Sequence, residues 1–305
     1  MVELAQFAIG GLTAGTLYGL VALGIVLLYR SSRVLNFAHG DLATLAAFVG
    51  LTLLARLEGP SLLPLGAETD WWPFLPAMAG SLVAAALAGG AFYFVILRPV
   101  KEATLLSRIV VTLGLALILN GVVALTWGAD AKIFPFPLSD VRVYRLGGVV
   151  VSQVSLGLSV AGLLIMLVLY LVVQRTRVGL AMRAVAQDLV AAQALGIPSR
   201  RIFALTWGLA GALAAAAGIL TAPVTFLSPY MMFDPFLKGF AAAVLGGMDS
   251  LPGAVLGGWI LGLAEGLFAG FVSVKFKTTL AFLVIILTLM LRPEGLLGRE
   301  FRRRV

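Results

Sequence analysis

The amino-acid sequence predicts an all-α polytopic membrane protein with about eight or nine membrane segments, several of them short or interrupted. Of its 305 residues, 61% are hydrophobic and only 12% are charged. A soluble domain carries about 25% charged residues, so this chain has too few to cover a surface that faces water. Long uncharged runs also recur along the chain, and a helix needs roughly 20 apolar residues to cross a bilayer.

Five uncharged runs can each hold one membrane span with its flanks. The first, residues 4–29, is too long for the apolar part of a signal sequence and is expected to be a retained span. The other four are residues 71–97, 109–129, 146–174 and 202–233. Shorter segments are expected at residues 42–55, 239–248, 250–264 and 278–291. Lys275 and Lys277 lengthen the last of these, because their side chains can reach outward to water.

Basic residues predict the orientation of the chain. They form four clusters between the apolar runs, namely Arg30 and Arg33; Arg98, Lys101 and Arg108; Arg175, Arg177, Arg183, Arg200 and Arg201; and Arg299, Arg302, Arg303 and Arg304. Loops rich in arginine and lysine stay in the cytoplasm. Placing all four clusters there predicts an N-terminus outside, a cytoplasmic C-terminus, and outer loops at residues 56–70, 130–145 and 223–234. Topology thus accounts for the net charge of +8, and no nucleic-acid partner is predicted.

Composition and motifs exclude several kinds of site. The chain has no cysteine and a single histidine, which excludes disulfides and metal centres built from thiolates or several histidines. The same shortage leaves little from which to build a catalytic set, so neither an enzyme nor a bound cofactor is predicted. No phosphate-binding loop of the G-x-x-x-x-G-K-[ST] type occurs, so any ATP hydrolysis requires another chain. The longest hydrophilic stretch, residues 176–201, is too short to fold alone, and residues 1–305 are predicted to form one transmembrane domain.

Two ladders of glycine residues are expected to bring helices into close contact. The ladders repeat at every fourth position and comprise Gly11, Gly15 and Gly19 in the first span, and Gly258, Gly262, Gly266 and Gly270 late in the chain. This spacing keeps the glycines on one face of a helix, where the missing side chains let two backbones approach each other. Close packing is therefore predicted, and a surface on which helices slide is the alternative.

A polar segment, residues 36–41, directly follows the first span and contains Asn36, His39 and Asp41. Asp41 is a suitable N-cap for the following helix, which favours a simple cap with hydrogen bonds at the membrane boundary. The alternative is an interrupted or re-entrant element, with the N-terminus of the helix directed into a transport path.

A second interruption is predicted at residues 246–253, where two short apolar segments meet. Gly247, Asp249 and Pro252 predict a helix break, and Pro252 fits the first turn of the next helix. A pair of interrupted segments, one in each half of the chain, is typical of a membrane transport site, and Asp41 and Asp249 would then be counterparts. The alternative is a plain cytoplasmic turn between two spans.

Asn120 and Glu265 are isolated polar residues inside predicted spans. A carboxylate within a span costs roughly 2.5 kcal/mol or more, so Glu265 is expected to face protein or a wet cavity rather than lipid. A structural hydrogen bond and a role in a transport path are both open for this residue. The resulting candidates for a transport path are Asn36, His39, Asp41, Asn120 and Glu265.

Residues 176–201 are predicted to contain a short and mostly apolar helix outside the membrane. Asp188 is a suitable N-cap, Leu195 ends the helix, and Gly196 stops it in a left-handed turn. Such a helix needs a partner to cover its apolar side chains, so docking to a cytosolic subunit is predicted. An amphipathic helix that lies on the lipid surface is the alternative.

Several stretches in this order resemble permeases of branched-chain amino acid importers of the LivH type, which are related to simple-sugar permeases. They span nearly the whole chain and read YGLVALG (residues 18–24), NFAHGD (36–41), RAVAQD (183–188), LGI (195–197), GGMDSLPGA (246–254) and RPEGLLG (292–298). The resemblance implies the fold of an ATP-binding-cassette importer permease in the bacterial cytoplasmic (inner) membrane. It also implies that Ala191, Ala192, Leu195 and Gly196 belong to a coupling helix that docks into an ATPase. One departure is Val190, which stands where the family usually has an acidic residue.

The resemblance further implies a set of partners. They are a homologous second permease of the LivM type, two cytosolic ATPase chains and a periplasmic or extracellular substrate-binding protein, with membrane lipid as the solvent. Transport by alternating access of branched-chain amino acids, or of similar small polar solutes, is expected. Urea, short amides or aromatic acids are alternative substrates, since selectivity resides largely in the binding protein. An ion-coupled secondary transporter that uses Asp41, Asp249 or Glu265 is the alternative mechanism.

Overall fold

The computed structural model describes residues 2–58, 69–99, 104–146 and 148–298. Within these ranges the chain forms eleven α-helices and one β-hairpin, which confirms the all-α polytopic fold. Three predicted features lie wholly or largely outside the described residues: the outer loop at residues 56–70, Lys101, and the cluster formed by Arg299, Arg302, Arg303 and Arg304.

The helices and strands follow one another in a simple order. They are α1 (Val2–Ser32), α2 (His39–Glu58), α3 (Trp71–Phe92) with a π-helical turn (Tyr93–Leu97), α4 (Leu105–Trp127), β1 (Val143–Leu146), β2 (Val149–Ser152), α5 (Gln153–Arg175), α6 (Arg177–Gln187), α7 (Leu189–Ala194), α8 (Ser199–Thr221) with a 3-10 turn (Ala222–Val224), α9 (Phe233–Gly246), α10 (Leu251–Phe271) and α11 (Lys277–Leu291).

Seven helical segments are long and apolar enough to cross a membrane: α1, α2, α3 with its π-helical turn, α4, α5, α8 with its 3-10 turn, and α10. Helix α11 is apolar but shorter. Helix α9 has 14 residues, which is about 21 Å and too short to cross the roughly 30 Å hydrocarbon core. With α9 and α11, the described part of the chain has nine membrane segments, as many as the sequence predicts.

Two of the predicted apolar runs are divided in the structure. Residues 202–233 contain α8, a turn and the first residue of α9, because Pro223 and Pro229 cannot continue a regular helix. Residues 146–174 begin with the β-hairpin, where β-branched valines favour extended structure and Gly148, at φ 90°, makes the turn. An uncharged run indicates burial in lipid or protein, but it does not show where a helix begins.

Helix α2 begins at His39, so the prediction that Asp41 is its N-cap is wrong. The Asn36 side-chain oxygen accepts a hydrogen bond from the Ala38 amide at 3.1 Å, and the Leu42 amide donates to the Ala38 carbonyl oxygen at 2.9 Å. Asn36 therefore satisfies a free amide before the helix starts, and the helical hydrogen bonds begin one turn earlier than expected. Asp41 lies within the first turn.

Helix α1 lies at the centre of the bundle and packs on α5, α8, α9 and α10. The two glycine ladders face each other across the contact between α1 and α10. A Cβ placed on Gly15 would lie 2.6 Å from the Gly258 carbonyl oxygen and 3.0 Å from the Trp259 Cα. Gly11 meets Gly262 in the same way, and Gly266 meets the backbone of Phe7. The backbones of α1 and α10 are therefore in direct contact.

The two ends of the bundle differ in character. We call the first the basic end, because it carries Arg30, Arg33, Arg98, Arg108 and Arg200. Helices α1 and α3 end there, α4 and α8 begin there, and α6 and α7 lie beside them. At the second, the hairpin end, the Gln6 side chain near the start of α1 binds both the amide and the carbonyl of Val150 in β2. The first and last described residues lie at opposite ends.

Candidate functional site

The connection between α1 and α2 is re-entrant. Arg33 has a φ of 53°, and this left-handed turn reverses the chain after α1 ends. The ring of His39 then packs directly against Gly24, two turns before the last residue of α1. Since a helix rises 1.5 Å per residue, α2 begins about 12 Å inside the bundle rather than at the basic end. The structure thus agrees with the re-entrant alternative for residues 36–41.

Hydrogen bonds from α4 hold this re-entrant segment. The Thr112 hydroxyl donates to the Leu35 carbonyl oxygen at 3.2 Å and accepts from the Phe37 amide at 3.4 Å. On the other side, the ring of Phe37 meets Phe236 of α9 edge-on, with ring centroids 6.4 Å apart. The extended backbone is therefore satisfied by protein, as non-helical chain at membrane depth must be.

Two of the predicted path residues, Asp41 and Asn120, meet at the start of α2. The side chains of Asp41 and Asn120 interact with each other, and the Asn120 amide also donates to the Pro229 carbonyl oxygen at 3.0 Å. This group joins the first turn of α2 to α4 and to the turn that precedes α9. His39 packs against α1 instead, where it is buried, and neither of its ring nitrogens has a hydrogen-bond partner within the described ranges.

Glu265 belongs to a second polar cluster, between α1, α9 and α10. Its carboxylate lies 2.7 Å from the ammonium nitrogen of Lys238, and both side chains are only 5% exposed. Lys238 also pairs with Asp234 at 2.7 Å and lies over the ring of Tyr18, 5.5 Å from its centroid. Tyr18 in turn lies close enough to Glu265 to interact with it electrostatically. The carboxylate thus faces protein and is neutralised there, as its position on the glycine face requires.

The predicted break at residues 246–253 lies at the basic end. Gly247, at φ 108°, ends α9, and the Ser250 hydroxyl caps α10 by accepting from the Gly253 amide at 3.1 Å. Asp249 pairs with Arg33 at 2.9 Å, which ties this turn to the start of the re-entrant segment. The turn is therefore close to the simple alternative, a connection between two membrane segments. Helix α9 is short because it begins late, at Phe233, and not because of this turn at its C-terminal end.

The short helix outside the membrane has the cap and the stop that the sequence predicts. The Asp188 carboxylate accepts from the Ala191 amide at 2.9 Å, and Gly196 follows α7 at φ 80°. Ala192 is buried beside Met182 of α6 and Ile202 of α8. The apolar side chains on the other face are uncovered: 76% of Val190 and 82% of Leu195 is exposed. Helix α7 is thus firmly seated on one side and open to a partner on the other.

Comparison with known proteins identifies the family. A family model described as the permease component of branched-chain amino acid transport systems matches residues 7–291. The chain belongs to this family. It is 33% identical over 298 residues to the high-affinity branched-chain amino acid transport system permease protein LivH of Escherichia coli, covering 96% of this chain and 95% of the relative.

Two further relatives of this permease extend the comparison. Permease protein BraD of Pseudomonas aeruginosa is 36% identical over 301 residues, covering 96% of this chain and 95% of the relative. The probable branched-chain amino acid transport permease LivH of Methanocaldococcus jannaschii is 28% identical over 311 residues, covering 96% and 92%. No solved structure matches the permease. These matches confirm the resemblance that the sequence motifs indicate.

The structure of the permease divides the predicted path residues into two groups and adds residues that sequence reasoning missed. Asn36, His39 and Asp41 lie in the re-entrant segment and Asn120 contacts it from α4, whereas Glu265 lies in the ion-pair cluster. Sequence reasoning missed Lys238, although its spacing of four from Asp234 is a signal for an ion pair on one helix face. It also missed the pairing of Arg33 with Asp249, for which the sequence holds no signal, because the two residues are 216 positions apart.

Helix α9 joins the two groups. Phe236 contacts the re-entrant segment and Gly40, while Lys238, on another face of the same helix, holds Glu265. A movement of α9 would therefore change the contacts of both groups.

Proposed function

We propose that this permease is the membrane subunit of an ATP-binding-cassette importer that carries branched-chain amino acids. Its proposed partners are a homologous second permease, two cytosolic ATPase chains and an extracytoplasmic substrate-binding protein. The permease itself then has no catalytic role, and the hydrolysis of ATP takes place in the partner chains. The family match across residues 7–291 carries this proposal. The uncovered apolar side chains of α7 support an ATPase partner, because they lie on a helix that is otherwise well seated.

The mechanism that we propose is alternating access. A loaded binding protein docks at the hairpin end, and ATP binding in the partner chains moves α7. Ala192 packs against Ile202, so a movement of α7 is passed to α8, which packs on α1, α2 and α3. The re-entrant segment and α9 then change their contacts with α1, and the path opens first to one side and later to the other. Few fixed contacts with the substrate are needed, because the binding protein selects it.

The basic end is proposed to face the cytoplasm, since loops rich in arginine remain there. The permease has no cysteine, which permits a direct test with single introduced cysteines. A membrane-impermeant maleimide should label Val141→Cys, at the hairpin end, in intact cells. In cells that produce the permease without its ATPase partners, it should label Val190→Cys, at the basic end, only after the membrane is broken. The reverse pattern of labelling would overturn the orientation.

The proposed function is tested by uptake into proteoliposomes that contain the complete set of partners. Radiolabelled leucine should enter only when ATP and the loaded binding protein are both present. Val190→Lys should abolish this uptake and the co-purification of the ATPase chains, because it places a positive charge in the apolar docking surface, at a position where the family usually has an acidic residue. The folding of the permease should not change, because Val190 is 76% exposed.

Val141→Lys provides a matched control for the docking helix. It makes the same substitution at a position that is 90% exposed and lies at the opposite end, so the ATPase chains should still co-purify. Uptake by this chain alone, driven by an ion gradient, would overturn the importer proposal in favour of a secondary transporter. Uptake of urea, acetamide or phenylalanine in place of leucine would overturn only the assignment of the substrate.

A further inference from the structure

A large cavity opens at the basic end of the permease. Its volume is about 960 Å³, and it lies between the end of α1, the end of α3, the beginnings of α4 and α8, and the segment that contains α7. The arginines that line it come from four separate parts of the chain: Arg30, Arg33, Arg98, Arg108 and Arg200. Neither the re-entrant segment beyond Val34 nor the ion-pair cluster contributes to its walls.

The described lining of this cavity contains five arginines and no acidic side chain. Arg33 is paired with Asp249, outside the cavity. Within the described ranges, Arg98, Arg108 and Arg200 form no salt bridge with a carboxylate. Arg98 and Arg200 both lie within electrostatic range of Tyr93, which also lines the cavity. Within the described lining, Arg98, Arg108 and Arg200 are thus three cationic side chains without a paired carboxylate, a set suited to an anion.

The remaining wall of the cavity is apolar and aromatic. Tyr93 and Phe94 come from the π-helical turn, Val111 from α4, and Phe203 and Trp207 from α8. The rings of Tyr93 and Phe203 pack 5.9 Å apart and form a continuous surface. A small inorganic anion would leave this surface bare, whereas an amphiphile would cover it.

The cavity also lies at the level where membrane segments end, and its apolar side is open. Within the described residues, α3 packs on α2 and α8, and α4 packs on α2, without extensive contact between α3 and α4. Exposed apolar side chains flank the space between these two helices: 43% of Phe94 and 57% of Val110 is accessible. In a membrane such side chains face acyl chains, so lipid lies close to the arginines that line the cavity.

We propose that this cavity binds one anionic phospholipid. The phosphate is held by the guanidinium groups of Arg98, Arg108 and Arg200, and the acyl chains leave between α3 and α4 along Phe94 and Val111. Basic pockets between membrane helices at the cytoplasmic side are suited to such headgroups. Leu189 and Gln193 of α7 line the same cavity, so the bound lipid contacts the docking helix.

Native mass spectrometry of the delipidated, full-length permease tests this proposal. Dioleoyl phosphatidylglycerol should bind more than tenfold better than dioleoyl phosphatidylcholine, which has the same chains and no net charge. Arg108→Gln and Arg200→Gln should each weaken phosphatidylglycerol binding about fivefold, the effect of removing one basic residue near an anionic lipid. Arg142→Gln, an exposed arginine beside β1 at the hairpin end, is the matched control and should bind as the unchanged permease does.

Three outcomes would overturn the proposal. Equal binding of the two lipids would show that the arginines do not select a charged headgroup. Displacement of the lipid by an equal concentration of inorganic phosphate would show a site for a small phosphate rather than for a lipid. Unchanged binding in Arg98→Gln and Arg200→Gln would place the lipid elsewhere; both side chains are exposed, and circular dichroism verifies that these variants are folded.

Discussion

Replacing Gly15 with leucine is expected to prevent α1 from packing on α10 and to leave little folded permease. The Cβ of any larger residue would lie 2.6 Å from the Gly258 carbonyl oxygen and 3.0 Å from the Trp259 Cα. Both are backbone atoms, so no side chain can rotate away and the helices themselves must separate. Overpacking a core typically costs about 1–3 kcal/mol, and we expect a loss above about 3 kcal/mol here. Size-exclusion chromatography and thermal unfolding in detergent measure this loss.

Gly10→Leu is the matched control for this prediction. Gly10 lies on the same helix, but a Cβ placed there would have no neighbour within 4 Å. The free energy of unfolding of this variant should lie within about 0.5 kcal/mol of that of the unchanged permease, as is usual for surface substitutions. If Gly15→Leu and Gly10→Leu unfold at the same temperature, the backbones of α1 and α10 are not in direct contact.

Replacing Lys238 with methionine is expected to leave a carboxylate buried without its main partner. Glu265 has a side chain that is 5% exposed, and the ammonium of Lys238 lies 2.7 Å from it. Removing one member of a buried pair costs about 3–5 kcal/mol, because the remaining charge is neither solvated nor neutralised. The free energy of unfolding in detergent, from a denaturant titration, provides the measurement.

Two further variants distinguish this effect from a general loss of packing. Lys277 lies 4.0 Å from the same carboxylate but is 40% exposed, so Lys277→Met should cost less than about 1 kcal/mol. Combining Lys238→Met with Glu265→Gln should recover part of the lost stability, since the unpaired charge is then gone. Should the combined variant be no more stable than Lys238→Met, the buried charge is not the cause. If it is stable yet fails in the uptake assay, Glu265 has a role in the path as well.

Several features of the permease could be predicted because they depend on neighbours in the chain. The cap of α7 by Asp188 involves an amide three residues away, and Gly196 provides its own left-handed turn. The spacing of Gly11 and Gly15 determines which face of α1 is bare, whatever lies opposite. The partner of that face is a separate matter, and only the fold shows that it is the second ladder.

The predicted path residues show where such reasoning ends. Residues 36–41 were open to two interpretations, because an Asn and an Asp before a helix suit both a surface cap and a re-entrant segment. The depth of His39 decides between them, and this depth depends on its contact with Gly24 and on Thr112 of α4. Glu265 was expected to face protein, but the lysine that neutralises it lies 27 residues away in another helix.

The sequence by itself determined that this chain is a multi-span membrane permease, where most of its spans lie and which family it belongs to. Lipid is a uniform solvent, so each span must be apolar and long enough on its own, and that requirement can be read one segment at a time. Only the tertiary structure decided that α2 starts inside the bundle, that Arg33 meets Asp249, and that arginines from four parts of the chain line one cavity. These features arise where separate helices meet, and the contacts between helices depend on the shapes of both surfaces at once.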